Sequence, residues 1–327
     1  MSGVPVVLGV DYGGTKIAVG VCDLDGQRLA SNTLPAAGDR GADVTLQRGI
    51  EAARALLRDL PAVRLSAVGI ATFGIPAADH VGLAPTIDGW DRLALRAELG
   101  AAFAGVPVSV MTDVKAAALA EARWGSLGDC DPGLYLNLGT GLAAALVVGG
   151  RVVPGHHGAA GDIAYNLRSL DDVDVAVESR ELLEDRVSGR ALAELGQALP
   201  GEPRDAISVF RLAEAGNQAA QAVVDRALTE LSFHVVNLAT ALDPQRVTVG
   251  GGLVGSWEQL EPRLRRALDA GVPYPPELVR AHFPFDAPLV GALAVGVETL
   301  MGSSDGSIAS LRHWNGTDRP SEERTAP

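Results

Sequence analysis

Short apolar runs alternate with longer segments of helical periodicity along most of the chain. An apolar run at residues 4–10 is followed, after a glycine-rich turn, by a second run at 17–22, which predicts two antiparallel strands. Apolar residues at helical spacing predict an amphipathic helix over residues 45–58. Strands that alternate with helices in this way are typical of α/β proteins.

The strand–turn–strand pattern returns in the middle of the chain. Residues 134–138 and 142–148 are apolar runs, and a Gly-Thr-Gly turn joins them. The same reasoning predicts further strands at 68–72, 106–111 and 247–249 and helices at 91–103, 188–199, 206–215, 218–242 and 290–301. The repeated element predicts two related domains around a cleft.

Composition narrows the class of protein. The 327 residues are 47% apolar and 20% charged, which is typical of globular chains long enough for two domains. The net charge of −13 offers no general basic surface for nucleic acid. Two cysteines far apart predict neither a disulfide framework nor a Cys-rich zinc cluster. No apolar run reaches the ~18 residues that span a bilayer, and the N-terminus resembles a strand rather than a signal peptide. We therefore expect a cytoplasmic protein with no membrane partner.

Two glycine-rich turns are candidates for phosphate binding. Gly13-Gly14-Thr15 and Gly139-Thr140-Gly141 present backbone N–H groups that phosphate oxygens can approach closely. Asp11, at the end of the first strand, is of the type that holds Mg²⁺ or its water shell. Two such turns across a cleft, with a Gly250-Gly251-Gly252 loop after a third strand, would bind one polyphosphate. Each turn by itself is also compatible with a plain hairpin.

Asp113 is the candidate general base. It follows a predicted strand and precedes an Ala-rich run, which is the signature of a helix N-cap. The helix dipole and free N–H groups are expected to hold its carboxylate ionised, ready to accept a hydroxyl proton during phosphoryl transfer. A plain capping role is the alternative.

These motifs, in this order, resemble the ROK family of sugar kinases, repressors and open reading frames. The resemblance covers about residues 4–301 and rests on the segments 11–16, 113–121, 138–141 and 155–162. It implies an α/β fold with two actin-like (hexokinase/RNase H-type) domains that flank a cleft. It also implies transfer of the ATP γ-phosphate to a hexose hydroxyl, usually the 6-hydroxyl.

The resemblance also implies domain boundaries. We expect a smaller domain at 1–112, a larger one at 113–289, and a helix at about 290–301 that packs back on the first. Residues 302–327 are expected to form a disordered tail. Many relatives are dimers, so a homodimer is a candidate assembly.

Site roles follow from the same resemblance. Asp113 aligns with the catalytic base, and Asp11 would act on Mg²⁺ indirectly. The ATP- and phosphate-binding candidates are Asp11, Gly13, Gly14, Thr15, Lys16, Gly139, Thr140, Gly141, Gly250, Gly251 and Gly252. The sugar-binding candidates are Gly74, Thr112, Asp113, His157, Asp162, Tyr165 and Glu184.

The departures from the family cluster around the sugar. Thr112 stands where the family has a sugar-contacting Asn, and Asp162 and Tyr165 replace the Glu and His of Glu-x-Gly-His. The family's Cys-rich loop is missing, and no cysteine follows Cys130. Because tyrosine is a poor zinc ligand and the Cys-rich loop is missing, we expect no structural zinc. The cofactors that we expect are ATP, which the resemblance implies, and Mg²⁺, which Asp11 is of the type to hold.

These departures suggest an unusual sugar. Asp162 and Glu184 would suit an ammonium group, since charge-assisted hydrogen bonds are strong. We therefore predict an amino or modified hexose such as kanosamine, from antibiotic biosynthesis. Plain glucose is the alternative, with the replaced residues compensating only for the lost zinc loop.

Two other classes of protein are open at this point. A repressor of this family would need an N-terminal helix-turn-helix, but the phosphate motif already begins at Asp11. A silent sugar-binding protein is disfavoured because Asp113 and both turns are retained.

Only two of the 27 basic residues are lysines, Lys16 and Lys115, and both lie in these motifs. Lys16 closes the first turn, where a compact ammonium suits the site better than a planar guanidinium. Lys115, where relatives have Asn, either holds Asp113 or a phosphate electrostatically or is an exposed first-turn lysine.

Overall fold

The structure is a computed structural model that describes residues 3–103, 105–199 and 205–302. The predicted tail therefore lies outside the described residues, except for Gly302. The elements up to residue 124 are β1 (Val4–Tyr12), β2 (Lys16–Cys22), β3 (Arg28–Pro35), α1 (Ala42–Arg58), β4 (Val63–Thr72), β5 (Ile75–Pro76), β6 (Val81–Gly82), α2 (Leu95–Ala102), β7 (Val108–Thr112) and α3 (Asp113–Trp124).

The rest of the chain supplies a second set of elements. They are β8 (Gly133–Leu138), β9 (Leu142–Val148), β10 (Arg151–Val152), α4 (Glu184–Val187), α5 (Gly189–Gly196), α6 (Ala206–Glu214), α7 (Gln218–Leu242), β11 (Arg246–Gly250), α8 (Trp257–Gly271), β12 (Glu277–Arg280) and α9 (Ala287–Met301).

Two five-stranded sheets share one plan. The first has the order β3-β2-β1-β4-β7 and the second the order β10-β9-β8-β11-β12. In each sheet the first three strands along the chain pair antiparallel, and the remaining two continue in parallel. The short hairpin of β5 and β6 stands apart. This duplication is what the repeated strand–turn–strand pattern predicted.

Burial explains why the central strands are continuous apolar runs. Strand β1 is buried from Val6 to Tyr12, because α1 packs on one face of the first sheet and α9 on the other. Strand β3 was not predicted. It pairs only with β2 at the edge of the sheet, and its largely exposed side chains lack an apolar pattern.

Helices α3 and α9 pack against each other, with α9 on the first sheet and α3 also against β8 and β9 of the second. Glycines permit this close packing, since a Cβ at Gly291 of α9 would collide with the backbone of Ala116 in α3. The buried carboxylate of Glu121 fixes the other end of α3, accepting hydrogen bonds from the backbone N–H groups of His282 and Phe283. The position of α3 therefore depends on segments distant in sequence.

The strand register brings the candidate motifs to one edge. Tyr12 pairs with Thr72, and Thr72 pairs with Thr112, so the segments that follow β1, β4 and β7 emerge side by side. In the second sheet Gly250 pairs with Asn137 in the same sense. The carboxyl ends of parallel strands are the usual place for a binding site in such sheets. None of the described helices combines the length and apolarity needed to cross a membrane.

Candidate active site

Asp113 is the first residue of α3 rather than its cap. Thr112 is the N-cap, and its hydroxyl oxygen accepts a hydrogen bond from the backbone N–H of Lys115 at 3.3 Å. The Asp113 Oδ1 atom instead accepts from the N–H of Val114 at 2.8 Å. The sequence predicted Asp113 as the N-cap, and this was wrong by one residue, because the N-cap is Thr112.

Burial dominates the electrostatics of Asp113. It raises the pKa of Asp113 to about 6, against the opposing effects of the Val114 N–H and of Lys115. The N–H groups at the start of the helix favour the carboxylate, as the sequence suggested, but burial outweighs them. A carboxylate with a pKa of about 6 is a better proton acceptor than an exposed aspartate and is still ionised at neutral pH.

Asp11 lies close enough to the candidate base for their charges to interact. It is 6% exposed, and burial together with the charge of Asp113 raises its pKa to about 7, while Lys16 opposes the shift. Lys16 and Thr15 are exposed in the turn that follows, where the N–H of Gly13 donates to the Lys16 carbonyl oxygen at 2.9 Å. This hydrogen bond closes the hairpin between β1 and β2, and the buried carboxylate of Asp11 lies just before the turn.

Gly14 in this turn has a crowded neighbourhood. A Cβ at Gly14 would stand 2.5 Å from Thr86 Cγ2, so glycine lets the turn pack against residue 86. The sequence reasoning did not single out Thr86, which comes from the segment after β6 and carries no recognisable motif.

The charged groups on the other side of the base are Lys115, Asp162 and Glu184. Lys115 is 7% exposed, and its charge acts on both Asp113 and Asp162. Burial raises the pKa of Asp162, with Lys115 opposing and Glu184 adding to the shift. Burial also raises the pKa of Tyr165, with Asp162 and Glu184 contributing. The sugar candidates at 162, 165 and 184 therefore do come together.

The burial of Lys115 decides between two alternatives. The structure excludes an exposed first-turn lysine and places the side chain among the carboxylates of the site. Burial lowers the pKa of Lys115, while Asp162 and Asp113 oppose that shift.

Glu184 has a structural task that the sequence did not suggest. Its Oε2 atom accepts from the N–H of Leu142 at 2.9 Å and would be 2.6 Å from a Cβ at Gly141. The glutamate therefore supports the second glycine turn as well as acting on Asp162.

The beginning of α5 also holds the second turn. The N–H groups of Gly189 and Arg190 donate to the carbonyl oxygens of Gly139 and Thr140 at 2.8 and 3.3 Å. The Arg190 Nη2 atom lies 3.6 Å from Glu184 Oε1, which puts a cation next to this turn. Arg190 was not among the predicted site residues, and it directly follows Gly189, the first residue of α5.

The third glycine loop packs against the second turn. Gly251 has φ +90°, and a Cβ there would be 2.5 Å from the carbonyl carbon of Leu138 and 2.7 Å from the Gly139 nitrogen. A Cβ at Gly250 would meet Tyr135, whereas one at Gly252 would meet open space. The contact is consistent with these loops belonging to one site. That both turns grip a single polyphosphate stays a prediction.

Gly74 and His157 are two further sugar-binding candidates. Gly74 has φ +75°, and a Cβ there would meet Gly82 and Ala84 in and beside the small hairpin. His157 is exposed, with its ring edge-on to His156. The loop at 155–162 reaches β5, since a Cβ at Gly158 would touch Ile75, but His157 is not among the groups that shift the pKa of Asp162 or Tyr165.

Trp90 belongs to the core rather than to the cleft. It is fully buried, stacks on Phe73 with ring centroids 5.0 Å apart, and donates from Nε1 to Thr72 Oγ1 at 3.1 Å. Trp90 therefore holds Thr72 and Phe73, the two residues before Gly74, from the core side.

Asp11 and Asp113 could supply only some of the oxygen ligands that a magnesium ion needs. Asp11 and Asp113 are mutually repelling oxygen ligands of the type that Mg²⁺ takes. Within the described residues, however, no group of three His, Cys, Asp or Glu side chains could hold a metal ion. A magnesium ion here would need phosphate oxygens and water to complete its shell. The expectation of no structural zinc stays a prediction.

Comparison with known proteins extends these observations. The model of the ROK family matches residues 7–298. A glucokinase from Streptomyces coelicolor is 30% identical over 266 residues, covering 76% of this chain and 82% of the relative. A kanosamine kinase from Amycolatopsis mediterranei is 29% identical over 266 residues, covering 80% of this chain and 84% of the relative.

A solved structure agrees with the fold. The ROK family glucokinase from Streptomyces griseus, in complex with glucose and AMPPNP, superposes with a TM-score of 0.72 at 25% identity. The superposition covers 89% of this chain and 99% of that one. The predicted α/β fold with two actin-like domains is confirmed, and the chain belongs to the ROK family.

Proposed function

We propose that this protein transfers the γ-phosphate of ATP to a hydroxyl of a hexose, the 6-hydroxyl, with Asp113 as the general base. The observation that carries the proposal is the partly buried Asp113 carboxylate, with a pKa of about 6, at the carboxyl edge of the first sheet. Relatives named as sugar kinases support the class of enzyme, so the chain is an ATP-dependent sugar kinase.

The proposed chemistry needs little more than positioning. Asp113 accepts the proton of the attacking hydroxyl as the oxygen approaches phosphorus, and ADP is the leaving group. The backbone N–H groups of the two glycine turns would bind the phosphate oxygens. Bound magnesium would neutralise phosphate charge, with Asp11 holding it directly or through water.

Two classes of hexose are candidates for the acceptor. An amino hexose is favoured by Asp162 and Glu184 and by the likeness to a kanosamine kinase. A neutral hexose is favoured by the glucokinase relatives and by Lys115, which already places an ammonium near Asp162. A role in antibiotic biosynthesis, a cytoplasmic location and a homodimer stay predictions.

The Asp113→Asn variant tests the base. The amide has nearly the same shape but is a far weaker proton acceptor, so kcat should fall by about 10²–10⁴-fold while nucleotide binding is retained. Sugar-dependent ADP release and nucleotide titration would measure the two quantities.

Asp43→Asn is the matched control, because Asp43 is an exposed aspartate in the first turn of α1. It should retain the activity of the parent. If Asp113→Asn turned over hexose as fast as the parent, the assignment of the base would be wrong. If the parent released no ADP with any hexose, the sugar-kinase proposal itself would fail.

A further inference from the structure

Lys115 is a buried lysine whose ammonium is not paired within the described part of the chain. The residue is 7% exposed, and no hydrogen bond or salt bridge joins its ammonium to another described residue, since the hydrogen bond to Thr112 Oγ1 is donated by its backbone N–H. Among the described residues, the fully buried side-chain nitrogen and oxygen atoms that lack a hydrogen-bond partner are Arg180 Nε and His234 Nε2, so the unpaired Nζ atom of Lys115 is not fully buried. The ammonium therefore opens toward water while its stem is buried, as long cationic side chains do.

The surroundings of this ammonium are those of the proposed acceptor pocket. It belongs to the first turn of α3, two residues after Asp113, and its charge also acts on Asp162. Asp162 in turn acts on Tyr165, together with Glu184. The charge of Lys115 therefore acts both on Asp113, the proposed base, and on Asp162, the carboxylate proposed to contact the sugar.

We infer that Lys115 is a specificity-determining residue, which donates to hydroxyl oxygens of a neutral hexose and disfavours a hexose that carries a protonated amino group. This inference rests on the proposed function and names the substrate class for the same site. An ammonium offers three donors to sugar oxygens. The same charge repels a second ammonium brought close to it.

One of the two carboxylates that would have held an amino group, Glu184, is already engaged by protein groups. Lys115 acts on Asp162, and Glu184 accepts from the Leu142 N–H and lies 3.6 Å from Arg190. An amino sugar would have to compete with these protein groups for Glu184, and near Asp162 it would meet the positive charge of Lys115.

Steady-state kinetics with glucose and with kanosamine, each with ATP and at a pH where the amino group is protonated, would test the inference. In the parent, kcat/KM should be higher for glucose. In Lys115→Met, which keeps the length and removes the charge, the ratio of kcat/KM for kanosamine to that for glucose should rise by at least ~10-fold. Lys115→Gln, which keeps a donor, should shift the ratio in the same direction, and it provides a second variant if the methionine protein folds poorly.

Two controls separate specificity from structure. Lys115→Arg keeps the charge and should keep the preference for glucose, even with a lower kcat. Arg96→Gln removes one positive charge from the exposed surface of α2 and should leave the ratio unchanged. A merely structural role for Lys115 would lower both activities together and leave the ratio constant.

The outcomes are distinguishable. A parent enzyme that prefers kanosamine, or a ratio that does not move in the methionine and glutamine variants, would overturn the inference and leave the kinase proposal standing. A folded parent that phosphorylates no hexose at all would overturn both.

Discussion

Asp11 is a buried carboxylate, and burial disfavours its charged form. Burial raises the pKa of Asp11 from 3.8 to about 7, and the neighbouring Asp113 adds to the shift. Between these two values the folded chain keeps the proton that the unfolded chain releases. The free energy of unfolding therefore falls as the pH rises from about 4 to about 7, and this loss is complete above the folded pKa.

The Asp11→Asn variant should reverse this loss. Because asparagine does not ionise, we expect the variant to gain about 1–3 kcal/mol of unfolding free energy over the parent at about pH 8, and much less at about pH 5. The same substitution should lower kinase activity. Thermal unfolding of both proteins at the two pH values, without nucleotide and metal ion, measures the difference.

The exposed Asp43 again provides a control, since Asp43→Asn should change stability equally at both pH values. A pH-independent difference between Asp11→Asn and the parent would contradict the proposed cause.

At the scale of elements, the second glycine turn, Gly139-Thr140-Gly141, is held by three parts of the chain. The turn between β8 and β9 is held by the beginning of α5, by Glu184 of α4, and by the glycine loop after β11. The loop can approach because Gly251 has a backbone conformation that L-residues rarely adopt and no side chain to separate it from Leu138 and Gly139.

Gly251→Ala should therefore disturb nucleotide binding. The added methyl group is forced against the Leu138 backbone, so we expect the KM for ATP to rise by about 10-fold or more and Tm to fall by a few degrees. The KM for the sugar should change less. Steady-state kinetics with each substrate varied in turn measures the difference.

Gly100→Ala in α2 is a matched control, because nothing lies within 4 Å of a Cβ at that position. It should leave the KM for ATP unchanged. Equal effects of the two substitutions on the KM for ATP would refute the role given to Gly251.

At the scale of the whole molecule, α9 connects the first sheet to the proposed base. It packs on that sheet and against α3, whose first residue is Asp113. Close contacts at Gly69, Gly291 and Gly296 hold α9 in place, and a Cβ at any of them would meet the backbone of a neighbouring element. The division into domains at residue 112 stays a prediction, but α3 lies in contact with elements of both sheets.

Gly291→Ala should couple stability to activity. A methyl group at residue 291 would collide with the Ala116 backbone, so we expect a loss of about 1–3 kcal/mol of unfolding free energy, in spite of the higher helix propensity of alanine. The displaced α3 should also lower kcat. Denaturant unfolding and kinetics measure the two effects.

Gly100→Ala also serves as the control for helix propensity, since α2 leaves room for the methyl group. A Gly291→Ala protein as stable and as active as the parent would show that the α3–α9 contact does not position the base.

Much of this arrangement was predictable from local sequence. The hairpin with Gly13 and Gly14, its counterpart with Gly139 and Gly141, and the beginning of α3 near Asp113 all follow from apolar runs bounded by turn residues. Edge strand β3 could not be found this way, because its exposed side chains carry no burial pattern. The cap of α3 was misassigned because threonine and aspartate are both residue types that cap helices.

The sequence by itself determined the alternation of strands and helices, the order of the motifs and the residue types that bring phosphate and proton chemistry, since these depend on local periodicity and turn geometry. Only the tertiary structure decided which charges act on one another. The pKa of Asp113 is governed by burial more than by its helix, and Lys115 is buried near Asp162 rather than exposed. Both results depend on elements far apart in sequence, because desolvation and charge pairing are set by what packs around a side chain and not by its neighbours along the chain.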